Sequence, residues 1–186
     1  MTVFDVMQWS PLHLLVPLIL LQRLAEVRIA KRNEAAARQR GGIEFGRDHY
    51  PAIITLHTLW FVGMIAEVIY LSRPVNPFWP GLLAIVVLCQ GVRYWTIRSL
   101  GPNWNTRVIV VPGTTATTHG PYRYLRHPNY VVVAVELLLF PMIFGAYLTA
   151  ITATIINTVL LRIRIRTEEK AWREVGKGYE EVGKGG

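Results

Sequence analysis

The chain has 186 residues, of which 52% are hydrophobic and only 17% charged, with a mean hydropathy of +0.30. That is too apolar for an ordinary soluble domain and fits a polytopic membrane protein. The formal net charge of +8 raises nucleic acid as a partner, but the basic residues flank apolar runs and form no aromatic-interleaved patch, so no nucleic acid is expected. A single cysteine, Cys89, excludes a disulfide framework and a Cys-based metal site.

A membrane span needs roughly 20 apolar residues. The first predicted span covers about residues 11–30. It lacks a basic leader and a small-residue cleavage site, so it reads as a retained span and not a signal peptide. Arg23 and Glu26 lie three apart on one face of it, as an ion pair or as substrate contacts. The second predicted span, about 51–71, carries Glu67 near its end, placed to reach the interface. The third, about 78–97, carries Arg93, which snorkelling would accommodate.

A polar segment, GPYRYLRHPNY (Gly120–Tyr130), follows directly before an apolar run broken only by Glu136. The run would be too long as one helix. Its Pro-Met-Ile-Phe-Gly-Ala stretch (141–146) is a turn signal, so the pattern predicts a tight hairpin of spans at about 129–145 and 147–163. Each arm, at about 16 residues, would measure about 24 Å. Glu136 sits about one and a half turns into the first arm and Asn157 at comparable depth on the return arm. Two readings stand for them: an interhelical hydrogen bond across the hairpin, or the lining of a ligand pocket. The return arm ends in RIRIRTEEKAW, where Arg164 and Glu168 share a helix face. The hairpin would bring this cluster back beside Arg123–Tyr130. The final GKGYEEVGKGG reads as a frayed end.

The fold class is therefore all-α: a polytopic membrane protein of about five transmembrane helices, the last two a hairpin, with a cytoplasmic C-terminal helix. Residues 1–186 form one domain. Among 20 Lys and Arg, only Arg73 lies between the second and third spans, so positive-inside logic puts the N-terminus outside and the C-terminus in the cytoplasm.

The sequence contains no GxSxG, HExxH, Walker-type or CxxC motif. The histidines are scattered, and two of them, His13 and His57, fall in apolar spans, so no metal site is expected. A site mixing Arg, His, Tyr and Glu at the mouth of apolar helices could hold a charged cofactor from one side and a lipophilic substrate from the bilayer. Glutamates suit ribose hydroxyls or a sulfonium; an arginine suits a carboxylate or a developing oxyanion.

GPYRYLRHPNY followed by RIRTEEKAW, with LGPNWNTRV upstream, resembles the isoprenylcysteine carboxyl methyltransferase family of integral membrane enzymes, over roughly Leu100 to Trp172. RLAEVRIAKRN and IEFGRDHYP are reminiscent of a bacterial branch that includes O-methyltransferases of long-chain alkylpyrones and alkylresorcinols. The resemblance implies S-adenosylmethionine as cofactor and S-adenosylhomocysteine as product, with the cofactor-binding part at about 100–175. It implies that Tyr122, Leu125, Arg126, His127, Pro128, Tyr130 and Glu169 bind the cofactor and that Arg164 and Glu168 act in catalysis. Glu136, Asn157, Arg23 and Glu26 are the substrate-pocket candidates. The family often has Gly two residues after the motif tyrosine, where this chain has Val132. The expected function is methylation of a lipophilic, membrane-partitioned acceptor, most readily the hydroxyl of an alkylpyrone or alkylresorcinol. The alternatives are carboxyl methylation of an isoprenylcysteine-like substrate and a non-enzymatic scaffold or transporter. Expected partners are the lipophilic substrate and membrane lipid, with no obligate protein partner. The expected location is the bacterial inner (plasma) membrane.

Overall fold

A computed structural model describes residues 14–185. In chain order it comprises α1 (Leu15–Gln39), β1 (Ile43–Phe45), α2 (Tyr50–Tyr70), α3 (Trp79–Leu100), β2 (Val108–Val110), α4 (Pro128–Ile143) and α5 (Tyr147–Val175), with short 3-10 turns at Arg47–His49, Gly101–Asn103, Gly120–Arg123 and Tyr179–Glu181. The protein is an all-α polytopic membrane protein. Three helical segments, Arg47–Tyr70, Trp79–Asn103 and Tyr147–Val175, are long and apolar enough to cross a bilayer, and α4 is a shorter apolar helix. Residues 11–13 of the first expected span, including His13, lie outside the described residues.

Two helices run beyond their expected ends. Helix α1 passes Ala30 to Gln39 because the added stretch is rich in Ala, Glu, Arg and Lys, which favour helix. Helix α5 does not stop near 163 but continues to Val175, so the C-terminal helix is an extension of the span. Pairs one turn apart, Glu169 with Arg173 at 3.3 Å and Lys170 with Glu174 at 3.6 Å, run along that extension. The sequence reading also missed a sheet: β1 pairs antiparallel with β2, Glu44 opposite Ile109.

The core lies where α2, α3, α4 and α5 meet, around Trp60, Met64, Val86, Leu137, Phe140 and Ile143. Ala150 and Ala153 on α5 and Ala146 at its N-cap are buried, small side chains that let neighbouring backbones approach closely. The outward faces carry exposed Leu21, Leu59, Leu88 and Ile155, suited to lipid.

The hairpin is built as its sequence suggests, with local devices that only the structure reveals. Pro141 lies within the last turn of α4 and cannot donate to the carbonyl of Leu137. The indole of Trp60 on α2 donates to that carbonyl instead, at 3.0 Å. Gly145 turns the chain with φ +73°, and a Cβ there would stand 2.5 Å from the carbonyl oxygen of Pro74. Glu67 is buried against the start of α5: its carboxylate accepts the backbone N–H groups of Leu148 (3.1 Å) and Thr149 (2.8 Å) and the Thr149 hydroxyl (2.9 Å). It thereby caps α5 from a different helix, accepting from orphan N–H groups that the N-cap residue, Ala146, cannot satisfy.

Candidate active site and its membrane-facing cavity

The hairpin brings RIRTEEKAW back beside the HPNY segment, at the end of α4 where Pro128 opens the helix. Gly120 starts the polar segment at φ +62°, and a Cβ there would lie 2.1 Å from the Ser99 hydroxyl on α3, so this segment presses directly on α3. Arg164 donates from Nε to the Tyr130 hydroxyl at 2.8 Å and from Nη2 to the Thr106 carbonyl at 2.6 Å. The Tyr130 hydroxyl in turn donates to Glu168. Arg164 and Glu168 are therefore joined through Tyr130 and not directly. The His127 ring stacks on Tyr130, centroids 5.2 Å apart, and its Nε2 shares a hydrogen bond with the Tyr179 hydroxyl at 3.1 Å and lies 3.6 Å from Glu169.

The Thr106 carbonyl is held in place from outside the hairpin. Tyr50 and Thr106 share a hydroxyl hydrogen bond at 3.0 Å, and the Arg107 guanidinium lies 4.1 Å from the centre of the Tyr50 ring. Arg107 and Arg38 both donate to Glu44, each at 2.5 Å. Burial pushes the Glu44 carboxyl up, but the hydrogen bonds from Arg38 and Arg107 outweigh it and hold the group below its ordinary value. Asn33 on α1 donates to the carbonyls of Gly101 (3.1 Å) and Trp104 (2.8 Å), pinning the loop that leads to Thr106.

The expected frayed end is instead a folded strap. Tyr179 is 5% exposed and Val182 2%. Arg126 Nε donates to the Val182 carbonyl at 3.1 Å, and the Gly183 N–H to the Tyr122 carbonyl at 2.9 Å. Tyr179 stacks on Trp172 with centroids 6.1 Å apart. Burial, reinforced by the nearby Glu168 carboxylate, pushes the phenols of Tyr122 and Tyr179 well above their ordinary value, so both stay neutral donors. The glycines of the tail masked its two anchoring side chains in the sequence; the only signal was an aromatic and a Val three residues apart.

A second polar cluster lies deeper. Glu136 accepts from Arg23 at 2.6 Å, from Gln90 at 2.8 Å and from Arg93. Glu26 accepts from Arg23 at 2.6 Å and from Gln22 at 2.9 Å. Arg93 does not snorkel: it is 3% exposed and turned inward, because two carboxylates make the interior less costly than the reach to the surface. The hydrogen bonds of Glu136 thus run to α1 and α3 and not across the hairpin to Asn157.

One cavity of about 600 Å³ joins these parts. At one end it is lined by Tyr122, Arg126, His127, Tyr130, Arg164, Glu168, Trp172 and Tyr179, and deeper by Arg23, Glu26, Arg93, Glu136 and Asn157. Leu20 and Leu24 of α1 and Ile54 and Val62 of α2 also line it. These four are also exposed, so the wall of the cavity between α1 and α2 is apolar and accessible. Leu125, Pro128 and Glu169 are not on the cavity wall; Leu125 is 45% exposed and Pro128 packs inside. Val132, at 3% exposure, fills the place of the family's glycine.

Residues 82–174 match the isoprenylcysteine carboxyl methyltransferase (ICMT) family. The chain belongs to that family, and its class is therefore that of a membrane methyltransferase. An uncharacterized protein of Bacillus subtilis (strain 168), YpbQ, is 45% identical over 161 residues, covering 87% of this chain and 96% of the relative. An uncharacterized protein of Haemophilus influenzae is 25% identical over 154 residues, covering 82% of this chain and 90% of its own length. No solved structure matches the chain.

Proposed function

We propose that the protein transfers a methyl group from S-adenosylmethionine to a hydroxyl of a lipophilic acceptor of the alkylpyrone or alkylresorcinol type that reaches the site from the bilayer. The observation that carries this reading is the cavity that joins an Arg, Tyr, His and Glu cluster to an apolar wall formed by exposed residues of α1 and α2.

The residues present fit the cofactor. The stacked pairs His127–Tyr130 and Trp172–Tyr179 offer flat surfaces for a purine. Glu168 offers a carboxylate for ribose hydroxyls or a cationic centre, with Glu169 behind it against His127, and the volume lies within the roughly 300–1,000 Å³ usual for small-molecule sites. Bound there, the cofactor would supply a methyl group already activated on sulfur. Tyr122, Arg126, His127, Tyr130 and the 100–175 segment around them would hold it, with the backbone at Leu125 and Pro128 setting the course of the loop. Arg164 orients the acceptor oxygen, its own guanidinium fixed by Thr106 and Tyr130. Glu168 holds the Tyr130 hydroxyl and stands ready to take the proton that the acceptor hydroxyl releases. Alignment of nucleophile and methyl is expected to give most of the rate.

The basic loops support the cytoplasmic side of a bacterial inner membrane for this end of the protein, with the N-terminus outside. Carboxyl methylation of an isoprenylcysteine-like substrate is the second reading, favoured by Arg164 as a carboxylate partner. The test is binding of S-adenosylhomocysteine to detergent-solubilised protein, then product analysis with methyl-labelled cofactor. An aryl or enol ether supports the reading, an ester selects the alternative, and absence of binding removes both.

A further inference from the structure

Helix α5 turns a stripe of residues inward, with Ala150, Ala153, Asn157, Arg164 and Ala171 buried along it. The other polar side chains of its apolar half have partners. Tyr147 accepts from Asn76, Thr149 donates to Glu67, and Thr152, Thr154 and Thr158 donate to carbonyls of their own helix. Asn157 is only 3% exposed, yet its side chain makes no hydrogen bond among the described residues. Its carboxamide atoms are not sealed in by packing either: both keep contact with open space, which at this burial is the cavity that Asn157 lines. Buried polar groups without partners are costly. An asparagine that served packing alone would be bonded across the hairpin or back to its own helix, as its neighbours are.

The level of Asn157 fixes what it can meet. It lies seven residues before Arg164 on α5, about 10 Å deeper along the helix. On α4, Glu136 lies six residues past Tyr130, about 9 Å deeper, and Arg164 is bonded to Tyr130. The hairpin therefore sets Asn157 and Glu136 at one level of the cavity. There Arg23 and Arg93 pair with Glu26 and Glu136, two cations against two carboxylates. A charged ligand group gains no net attraction at that level and would have to give up its hydration. A neutral oxygen needs only a donor, and the Asn157 amide supplies one. Arg164 and Asn157 line the same cavity, so an acceptor whose reacting oxygen meets Arg164 and whose chain follows the cavity inward carries chain atoms past Asn157.

Resting on the function proposed above, we infer that Asn157 Nδ2 donates a hydrogen bond to a neutral oxygen substituent on the chain of the acceptor, about 10 Å from the oxygen that receives the methyl group. Asn157 is then a specificity-determining residue, and the acceptor is a lipophile whose chain carries a hydroxyl or keto oxygen and is not plain hydrocarbon. An unsubstituted alkyl or prenyl chain would leave the carboxamide without a partner.

The test uses the purified full-length chain in detergent, saturated with S-adenosylhomocysteine. Three probes are compared: a long-chain 3-alkylphenol, and the same phenol carrying one hydroxyl or one keto group on its chain about 10 Å from the phenol oxygen. Binding is read by fluorescence of the cavity tryptophans Trp60 and Trp104, in wild type and in Asn157→Leu, which keeps the size of the side chain without its hydrogen-bonding atoms. Partitioning into detergent is the same for both proteins and cancels in the comparison. One neutral hydrogen bond predicts that wild type favours an oxygenated probe over the plain one about fivefold more than Asn157→Leu does. Asn157→Gln, which keeps the carboxamide, is expected to restore part of that preference. S-adenosylhomocysteine binding by each variant reports an intact fold, and Asn157→Ala replaces Asn157→Leu in the comparison if the latter does not hold it. A gain with one oxygenated probe alone names the group; equal probe ratios in wild type and variant overturn the assignment. Wild type that holds S-adenosylhomocysteine yet binds none of the three probes overturns the hydroxyl-acceptor function itself, and the assignment with it.

Discussion

The pairing of Trp60 with Pro141 yields the sharpest stability prediction. Pro141 has no N–H to give the Leu137 carbonyl, and Trp60 Nε1 supplies the missing donor at 3.0 Å from a residue that is 5% exposed. Trp60→Phe leaves that carbonyl unpaired where water does not reach, which costs roughly 1–3 kcal/mol. The smaller ring forfeits about 1 kcal/mol more in packing. In a Pro141→Ala background the new N–H at 141 can donate to Leu137 through the ordinary helical bond, so only the packing loss should remain. A double-mutant cycle, measured by denaturant unfolding in micelles, should therefore give a coupling of about 1–3 kcal/mol. If Trp60→Phe costs the same in both backgrounds, the indole is not standing in for the proline's missing donor and the reasoning is wrong.

Two further outcomes are expected. Arg164→Lys keeps the charge but loses the fork that reaches both Tyr130 and Thr106. Methyl transfer measured with labelled cofactor should fall by roughly 10²-fold or more, and unchanged turnover would remove Arg164 from the reaction. Glu44 has a folded pKa below its ordinary value of 4.5. The unfolded chain therefore takes up this proton first, so the stability Glu44 contributes is present above pH about 4.5 and is lost as pH falls through the lower folded value. Glu44→Gln should flatten the acid limb of the unfolding curve, and an unaltered limb would show that the Arg38–Glu44–Arg107 clamp does not contribute.

Much of the membrane architecture could be read from hydropathy, since apolar runs of span length have few other uses. The hairpin was also legible, because Pro141 and Gly145 interrupt a run too long for one helix. Pairing of the 120–130 segment with Arg164–Glu169 followed from that topology. Less legible were contacts set by tertiary geometry. Nothing in a one-dimensional pattern says that the Thr106 carbonyl would hold Arg164, or that Arg93 would turn inward. The partners of Glu67 were hidden for the same reason: the groups it satisfies belong to a helix 80 residues downstream. The strands IEF and VIV are too short to show alternation, and the glycines around Tyr179 hid a strap that packs on the site.

The deeper Arg and Glu network also bears on how the protein reaches its final state in the cell. Arg23 and Glu26 pair within α1, but Arg93 on α3 and Glu136 on α4 are fully partnered only once three helices have met. Each charge met singly by the insertion machinery costs about 2.5–3.5 kcal/mol at the middle of a span. Helix α3 brings a guanidinium whose earlier-made carboxylate partner is Glu26 of α1, while its closer partner, Glu136, arrives only with α4, synthesised some 40 residues later. Biogenesis is thus posed as an assembly problem. Half-made chains would expose a charge in the membrane that quality-control proteases can recognise, and losing Glu136 would deplete the protein before any defect in catalysis could be observed.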